Sequence, residues 1–217
     1  MFDAMRENNL LYVKDIEVLL AFEDVEGYIG FSSKEELDEE GVIQQVYQLV
    51  KREIIAIDHE KVKILEPFAT IIQDIKKANV VIQLETDNSK KKCCYLGERI
   101  LVSELSEVRE HQVIFYYLQL EEFMQLLEEE KYIPLTDMAM TEGKSADEML
   151  KAEEAEEKEF VNINIFYNKE FKYRIMVFEK GLYEYICVLE NIEEKLEFYT
   201  RERMKELLTC VQKGEKI

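Results

Sequence analysis

The side chains best suited to catalysis or metal binding are few in this sequence, and their spacing matches no established chemistry. The two histidines, His59 and His111, fall in predicted turns, and neither has a nucleophile or second ligand at a recognisable spacing. The four cysteines, at positions 93, 94, 187 and 210, form no CxxC or Cys/His pattern and are predicted to be buried apolar residues. The phosphate-binding, nucleophile-elbow and zinc-protease motifs do not occur either. The chain is therefore predicted not to be an enzyme, and no catalytic residue, metal or cofactor is predicted.

Carboxylates dominate the charged residues. The chain has 47 Asp and Glu against 28 Lys and Arg, a formal net charge of −19. Adjacent pairs such as Glu121–Glu122 arise by chance at this content and do not indicate general acid–base catalysis. Like-charge repulsion argues against binding to nucleic acid or to an anionic membrane surface. The charge fits a basic protein partner, although glutamates that only solvate helix faces are the simpler interpretation.

One basic cluster interrupts this acidic background. Lys90, Lys91 and Lys92 lie at the tip of the first predicted hairpin of a sheet. The simpler interpretation of this cluster is a solvated turn. The more specific interpretation is a protruding loop that contacts an acidic partner surface. The predicted partner-binding residues are Asp87, Asn88, Lys90, Lys91, Lys92 and Tyr95.

The hydrophobic pattern around this cluster occurs twice. A shift of 81 positions lays residues 80–128 over residues 161–209 without a gap. Few residues are identical, but apolar positions coincide: Val80, Ile82 and Leu84 fall on Val161, Ile163 and Ile165. A duplicated unit is the simplest explanation.

Each copy is predicted to contain four strands and one helix. The first copy has strands at 80–85, 91–96, 99–105 and 112–118 and a helix at 120–130; the second has strands at 160–167, 171–179, 182–189 and 195–199 and a helix from Thr200 to about Gly214. Short links between strands favour antiparallel meanders. The predicted fold is α+β: two quasi-equivalent antiparallel four-stranded meander-plus-helix units related by a pseudo-two-fold, with N-terminal helices added.

The N-terminal segment reads as helices around a short hairpin. Helices are predicted at 10–22 and at 37–50, the latter as one helix or as two broken near Gly41, and a third follows Pro67. Capping signals at Ser32 and Ser33 with Glu35 and Glu36 precede the second helix. A hairpin is predicted at 54–64. This order resembles a winged helix, but the segment 66–77 lacks the basic residues of a recognition helix, so DNA binding is not expected.

Four segments of one compact body are therefore predicted. They are 1–78, with helices and a hairpin; 79–130, the first unit; 131–159, a connector and an acidic helix opened by Ser145 and Glu148 and running to about position 158; and 160–217, the second unit. The polar N-terminus and the lack of a long apolar run predict a cytoplasmic protein.

The order of elements in residues 65–134 resembles the EspG-like proteins, chaperones associated with ESX (type VII) secretion. The resembling features are a helix at 65–78, a strand at 80–85, the Tyr95–Leu96 hairpin, a strand at 113–118, a helix at 121–129 and the exit Ile133–Pro134–Leu135. The resemblance implies a second, quasi-symmetric half, which residues 160–212 supply. It also implies a cytosolic protein that captures a helical secretion substrate, of the PE–PPE type or another long-helix type, through strand-connecting loops and C-terminal helices.

The expected function is a non-enzymatic protein-binding module, a secretion chaperone or adaptor that holds a helical secreted partner. One alternative is an acidic immunity or inhibitor protein that neutralises a basic toxin or nuclease. Another is a structural subunit of a larger assembly. Oligomeric state cannot be assigned from these patterns.

Overall fold

The computed structural model describes residues 9–33, 37–59, 61–86, 91–135, 145–152, 155–191 and 193–217. In chain order its elements are β1 (Leu10–Tyr12), α1 (Val13–Phe22), α2 (Glu39–Lys51), β2 (Ile55–Asp58), β3 (Lys61–Ile64), α3 (Phe68–Lys77), β4 (Val80–Glu85), β5 (Lys91–Leu96), β6 (Ile100–Leu105), β7 (Gln112–Leu118), α4 (Leu120–Glu129), α5 (Ala146–Ala152), β8 (Glu157–Tyr167), β9 (Glu170–Lys180), β10 (Tyr183–Glu190), β11 (Glu193–Phe198) and α6 (Arg201–Lys213). Helices combined with antiparallel strands confirm the predicted α+β class.

The chain divides into two compact units. Unit 1 comprises Met1–Ala78 and Leu101–Tyr117, and unit 2 comprises Asn79–Ile100 and Leu118–Ile217. The first part of unit 1 ends at Ala78. Residues 101–117, in contrast, lie in unit 1, whereas the rest of the predicted first meander lies in unit 2. Residues 112–117 belong with the N-terminal segment because β1, at the start of the described chain, pairs with β7.

Unit 1 contains the strand order β1–β7–β6 and the separate antiparallel hairpin β2–β3. The predicted N-terminal helix at 10–22 is wrong at its start, because residues 10–12 form β1 and only then does α1 begin. Leu10 and Tyr12 pair with Ile114 and Gln112 of β7, which satisfies backbone groups that a helix would have used. The Tyr12 N–H donates to a carboxylate oxygen of Asp15 at 2.7 Å and so caps α1.

Helix α2 is continuous through Gly41, which agrees with the prediction of one helix and not with that of two. It begins at Glu39, where an Asp38 carboxylate oxygen accepts a hydrogen bond from the Gly41 N–H at 2.8 Å. The capping partners predicted earlier, Glu35 and Glu36, lie outside the described residues. The predicted hairpin and the helix after Pro67 are confirmed as β2–β3 and α3.

Unit 2 contains one antiparallel sheet of order β5–β4–β8–β9–β10–β11. All six residues of β4 pair with residues 162–167 of β8, and Gln83 lies opposite Asn164 in that register. Helices α4 and α6 bury their apolar stripes, which comprise Phe123, Met124, Leu126 and Leu127 on α4 and Met204, Leu207, Leu208 and Val211 on α6. Burial of these side chains together with those of the sheet forms the hydrophobic core of the unit.

The caps and ends of the later helices follow the sequence closely. Thr200 accepts a hydrogen bond from the Arg203 N–H at 3.1 Å, and Gly214 ends α6 with a left-handed backbone at φ 71°. Ser145 and Glu148 form the predicted capping box. The helix they open is shorter than predicted, however. It ends at Ala152 because the chain from Glu157 pairs with the far end of β9.

Candidate functional site

The predicted lysine loop is only partly within the described residues. Asp87, Asn88 and Lys90 lie outside them. Lys91 is half-buried, and its ammonium lies 3.6 Å from a carboxylate oxygen of Glu85 on the neighbouring strand. A cross-strand ion pair of this kind is partly solvated and contributes little.

Lys92 and Tyr95 do not protrude, which corrects the expectation of an exposed contact loop at these two residues. Lys92 is 6% exposed, its ammonium lies 2.9 Å from Glu130 and 6.0 Å from the centre of the Tyr132 ring. Tyr95 is 2% exposed. Both faces of β5 are covered, so the alternation of the strand leaves neither side chain at the surface. A partner-binding role for the rest of the loop stays a prediction.

The candidate catalytic and metal-binding residues are dispersed. His59 and His111 are both exposed in turns, as predicted, with φ of 46° and 59°. Within the described part of the chain, no group of three or more His, Cys, Asp or Glu side chains is arranged to hold a metal ion.

Three of the four cysteines are placed as core residues. Cys93, Cys94 and Cys187 are buried thiols on strands, and Cys210 on α6 is half-buried. Burial raises the pKa of the Cys93 thiol to about 12. Burial, reinforced by a hydrogen bond with Glu194, also raises the pKa of the Cys187 thiol to about 12. Because the thiolate is the reactive form, neither group is a nucleophile near neutral pH.

An exposed apolar face on helix α2 of unit 1 is a feature that packing of the core does not explain. Ile43, Tyr47 and Val50 follow one another along α2 at intervals of four and three residues and are 64%, 66% and 39% exposed. Such spacing puts all three on one side of the helix. We call Ile43, Tyr47 and Val50 the α2 face. A stripe of this kind normally packs against a core, so the exposed α2 face is the candidate binding surface of unit 1.

The opposite side of α2 is fixed firmly to unit 1. Leu49 is fully buried, and Asp15 of α1, also fully buried, binds two residues of this segment. The Arg52 guanidinium donates to the Asp15 carboxylate at 2.6 Å, and the Gln45 amide donates to its other oxygen. These contacts determine which side of the helix faces inward and hold the α2 face outward on a rigid element.

A cavity adjoins the N-terminal half of α2. It has a volume of about 400 Å³ and is lined by Glu17, Val18, Ala21, Phe22, Ser33, Leu37 and Val42. Val42 lies about 100° around the helix axis from Ile43, so the cavity lies to one side of the α2 face. At its rim the Glu17 carboxylate accepts hydrogen bonds from the N–H and the hydroxyl of Ser33 at 2.6 and 2.9 Å. The concavity can receive one apolar side chain of a partner.

The sequence pattern did not single out the α2 face, because its apolar residues have the spacing of a helix that packs on a core. Of the strand tyrosines, residues 95, 116, 173 and 185 are buried in the core. Among the described residues, Tyr47 on α2 is 66% exposed and Tyr12 on β1 is 42% exposed. A signal was present: α2 carries more apolar residues than one inward stripe needs, namely Val42, Ile43, Val46, Tyr47, Leu49 and Val50.

No protein-family model matches this sequence, and no curated protein matches it either. Among the described residues, no helix combines the length and the apolar content required to cross a bilayer.

Proposed function

We propose that this chain is a non-enzymatic protein-binding module that holds a helix of a partner protein on the α2 face. The observation that carries the proposal is the exposure of Ile43, Tyr47 and Val50 on a helix whose other side is anchored by buried groups. An amphipathic partner helix buries such a stripe by laying its own apolar residues along it. Tyr47 is the expected central anchor, because tyrosine is enriched among residues that dominate binding energy.

The cavity beside α2 supplies shape specificity. A large apolar side chain of the partner enters it between Phe22 and Val42, while the remaining contacts run along the helix. Insertion into a preformed concavity costs less ordering than closure of a flexible loop. The anchored position of α2 therefore supports recognition with little rearrangement of unit 1.

The more specific form of the proposal is a cytoplasmic chaperone or adaptor for a helical secreted protein. It follows from the resemblance to the EspG-like family of type VII secretion. An exposed apolar stripe supports it, because a chaperone of this kind has to shield apolar helix surface of its substrate. The expected partner is a helical secreted protein that forms a stable complex with this chain.

An acidic inhibitor of a basic toxin or nuclease is the second candidate, and the net charge of −19 favours it. Charge complementarity of that kind raises association rates and makes them steeply dependent on salt. Docking on the α2 face depends instead on apolar contacts, so complex formation that persists at high salt supports the first candidate over the second.

The arrangement of unit 2 supports the proposed duplication. Asn164 is the residue 81 positions after Gln83, and the two lie opposite each other between β4 and β8. Strand β5 lies beside β4 on one side of the β4–β8 pair, and β9 lies beside β8 on the other side. The first two strands of each copy are therefore arranged in the same way about the pair. We infer that a pseudo-two-fold between Gln83 and Asn164 relates the two copies.

Capture of partners with matched variants tests the proposed function. The tagged chain is expressed in its native host as wild type, as Ile43→Asp and as Val108→Asp, and bound proteins are identified and then re-bound in purified form. Val108 is an exposed apolar residue in the turn before β7 of the same unit, so it controls for an added surface charge. We expect wild type and Val108→Asp to bind the same helical protein and Ile43→Asp to bind it at least about 10-fold less tightly. Equal binding by both variants would contradict the proposal.

A further inference from the structure

We propose that a second copy of this chain pairs with the α2 face, with the two α2 helices antiparallel. This inference rests on the face assigned under the proposed function and deepens that function by naming its regulation. Self-pairing determines what fraction of the copies presents Ile43, Tyr47 and Val50 to another protein.

The charges at the two ends of α2 carry the inference. Glu39 and Glu40 lie at the N-terminal end and Lys51 at the C-terminal end, and all three are exposed. At 3.6 residues per turn, each lies within about 80° of Ile43 around the helix axis. The apolar stripe is therefore bounded by negative charge at one end and positive charge at the other, on the same side of the helix.

A surface with this pattern is complementary to itself when the second copy runs in the opposite direction. Antiparallel pairing places Ile43 opposite Val50 of the second copy, and by symmetry Val50 opposite the second copy's Ile43. Lys51 then lies two to three residues along the axis from Glu40 and Glu39 of the second copy, about 3–5 Å at 1.5 Å per residue. Parallel pairing would place like charges together, and it would also align the two helix dipoles unfavourably.

The size of the face makes the dimer weak and exchangeable. A helix of 13 residues is about 20 Å long, so two of them bury less than the roughly 1,600 Å² of a standard stable interface. Repulsion between two chains of net charge −19 weakens pairing further. The second copy therefore covers the stripe at high concentration and leaves it readily when a better-matched helix is present.

Sedimentation of the purified chain is the first measurement. Between about 5 and 500 µM, mass action predicts that the average mass rises from 25.8 kDa towards twice that value. Ile43→Asp is expected to remain at the monomer mass over the whole range, whereas Val108→Asp is expected to behave as wild type. A wild-type chain that stays monomeric throughout overturns the proposal.

Charge reversal tests the antiparallel arrangement itself. Lys51→Glu makes both ends of the stripe acidic, and Glu39→Lys with Glu40→Lys makes both ends basic. Each variant alone is expected to dimerise at least about 10-fold more weakly than wild type, while their equimolar mixture forms a heterodimer at least as well as wild type dimerises. Thermal melting checks that both variants fold, as their exposed positions predict. A mixture that associates no better than the separate variants overturns the antiparallel pairing.

The two proposals fail separately. If the chain alone is monomeric but Ile43→Asp still abolishes capture of a helical protein, self-pairing is wrong and the proposed function stands. If the chain dimerises as described but Ile43→Asp captures the same protein as wild type, self-pairing stands and the proposed function is wrong.

Discussion

The Lys92 ammonium lies 2.9 Å from a carboxylate oxygen of Glu130, and the Lys92 side chain is only 7% exposed. A charge buried to this degree depends on its partner, because removal from water costs several kcal/mol that the ion pair offsets. The pair joins β5 to the end of α4 within unit 2. The burial leaves the Lys92 ammonium little access to an outside partner.

Removal of one member of this pair is predicted to destabilise unit 2. Glu130→Ala should lower the free energy of unfolding by about 2–4 kcal/mol, because the Lys92 ammonium is left buried without its carboxylate. The double variant Lys92→Met with Glu130→Gln should recover most of the loss. Urea denaturation followed by circular dichroism measures both. Lys91→Met is the matched control, since its partly exposed pair with Glu85 contributes at most about 1 kcal/mol. Similar losses for Glu130→Ala and Lys91→Met would refute the prediction.

A second prediction concerns the attachment of α2 to unit 1. Arg52→Gln removes the guanidinium that lies 2.6 Å from the fully buried Asp15 carboxylate. Loss of this contact leaves the buried Asp15 carboxylate without its counter-ion and is expected to cost about 3–5 kcal/mol. Chemical denaturation measures the loss, and hydrogen exchange is expected to show faster opening of the α2 amides.

The exposed neighbour Lys51 provides the control for this second experiment. Lys51→Gln changes the same formal charge one position earlier and should alter stability by less than about 0.5 kcal/mol. An Arg52→Gln variant as stable as Lys51→Gln would show that Asp15 does not need the guanidinium.

A third prediction concerns thiol reactivity. With a pKa of about 12, the Cys93 and Cys187 thiols are thiolate at a level of about one part in 10,000 at pH 8, and burial also blocks access to them. Cys94 is equally buried, so Cys210 is the cysteine expected to react in the folded chain. A thiol reagent should therefore label one cysteine per native chain and four after denaturation. In Cys210→Ser, native labelling should fall to zero; rapid labelling of a second native thiol would contradict the assignment.

A fourth prediction concerns acid pH. Burial raises the pKa of Glu197, but hydrogen bonds from Lys195 and Arg203 and their positive charges outweigh it, so the net pKa lies below the usual value near 4.5. A carboxylate with a depressed folded-state pKa stabilises the fold above its unfolded pKa, and this contribution is lost as pH falls through the folded pKa.

Glu197→Gln is therefore expected to reduce stability at pH 7, by less than about 1 kcal/mol because the pair is partly solvated. The difference from wild type should disappear once the pH has fallen well below 4.5. Thermal unfolding at several pH values measures this, with Glu193→Gln as the exposed control on the same strand. A wild-type advantage that persists unchanged in acid would exclude the ion pair as its cause.

Local pattern was sufficient for much of the secondary structure. The limits of β4, β5 and β7 coincide with the predicted strands, because alternation of apolar residues and adjacent turn signals act within a few residues. Thr200 and Gly214 likewise mark the ends of α6 through hydrogen bonds and backbone angles that depend on near neighbours.

Contacts between distant residues decided what local pattern could not. Residues 10–12 became a strand because β7, about a hundred positions later, offered backbone hydrogen bonds. Lys92 is predicted from the sequence to lie at an exposed basic tip, but in the fold it is buried and pairs with Glu130 at the end of α4. Tyr47 has the helical spacing of a core residue, but the fold leaves its side chain exposed.

The sequence by itself determined the α+β class, most strands and helices and the apolar pattern that repeats after 81 residues, since these depend on residue periodicity. Only the tertiary structure decided which apolar stripe stays exposed. Helix α2 has two apolar sides, and buried Asp15 selects the inward one through Arg52 and Gln45. That selection depends on partners 30 and 37 positions apart in the chain, which no local spacing encodes.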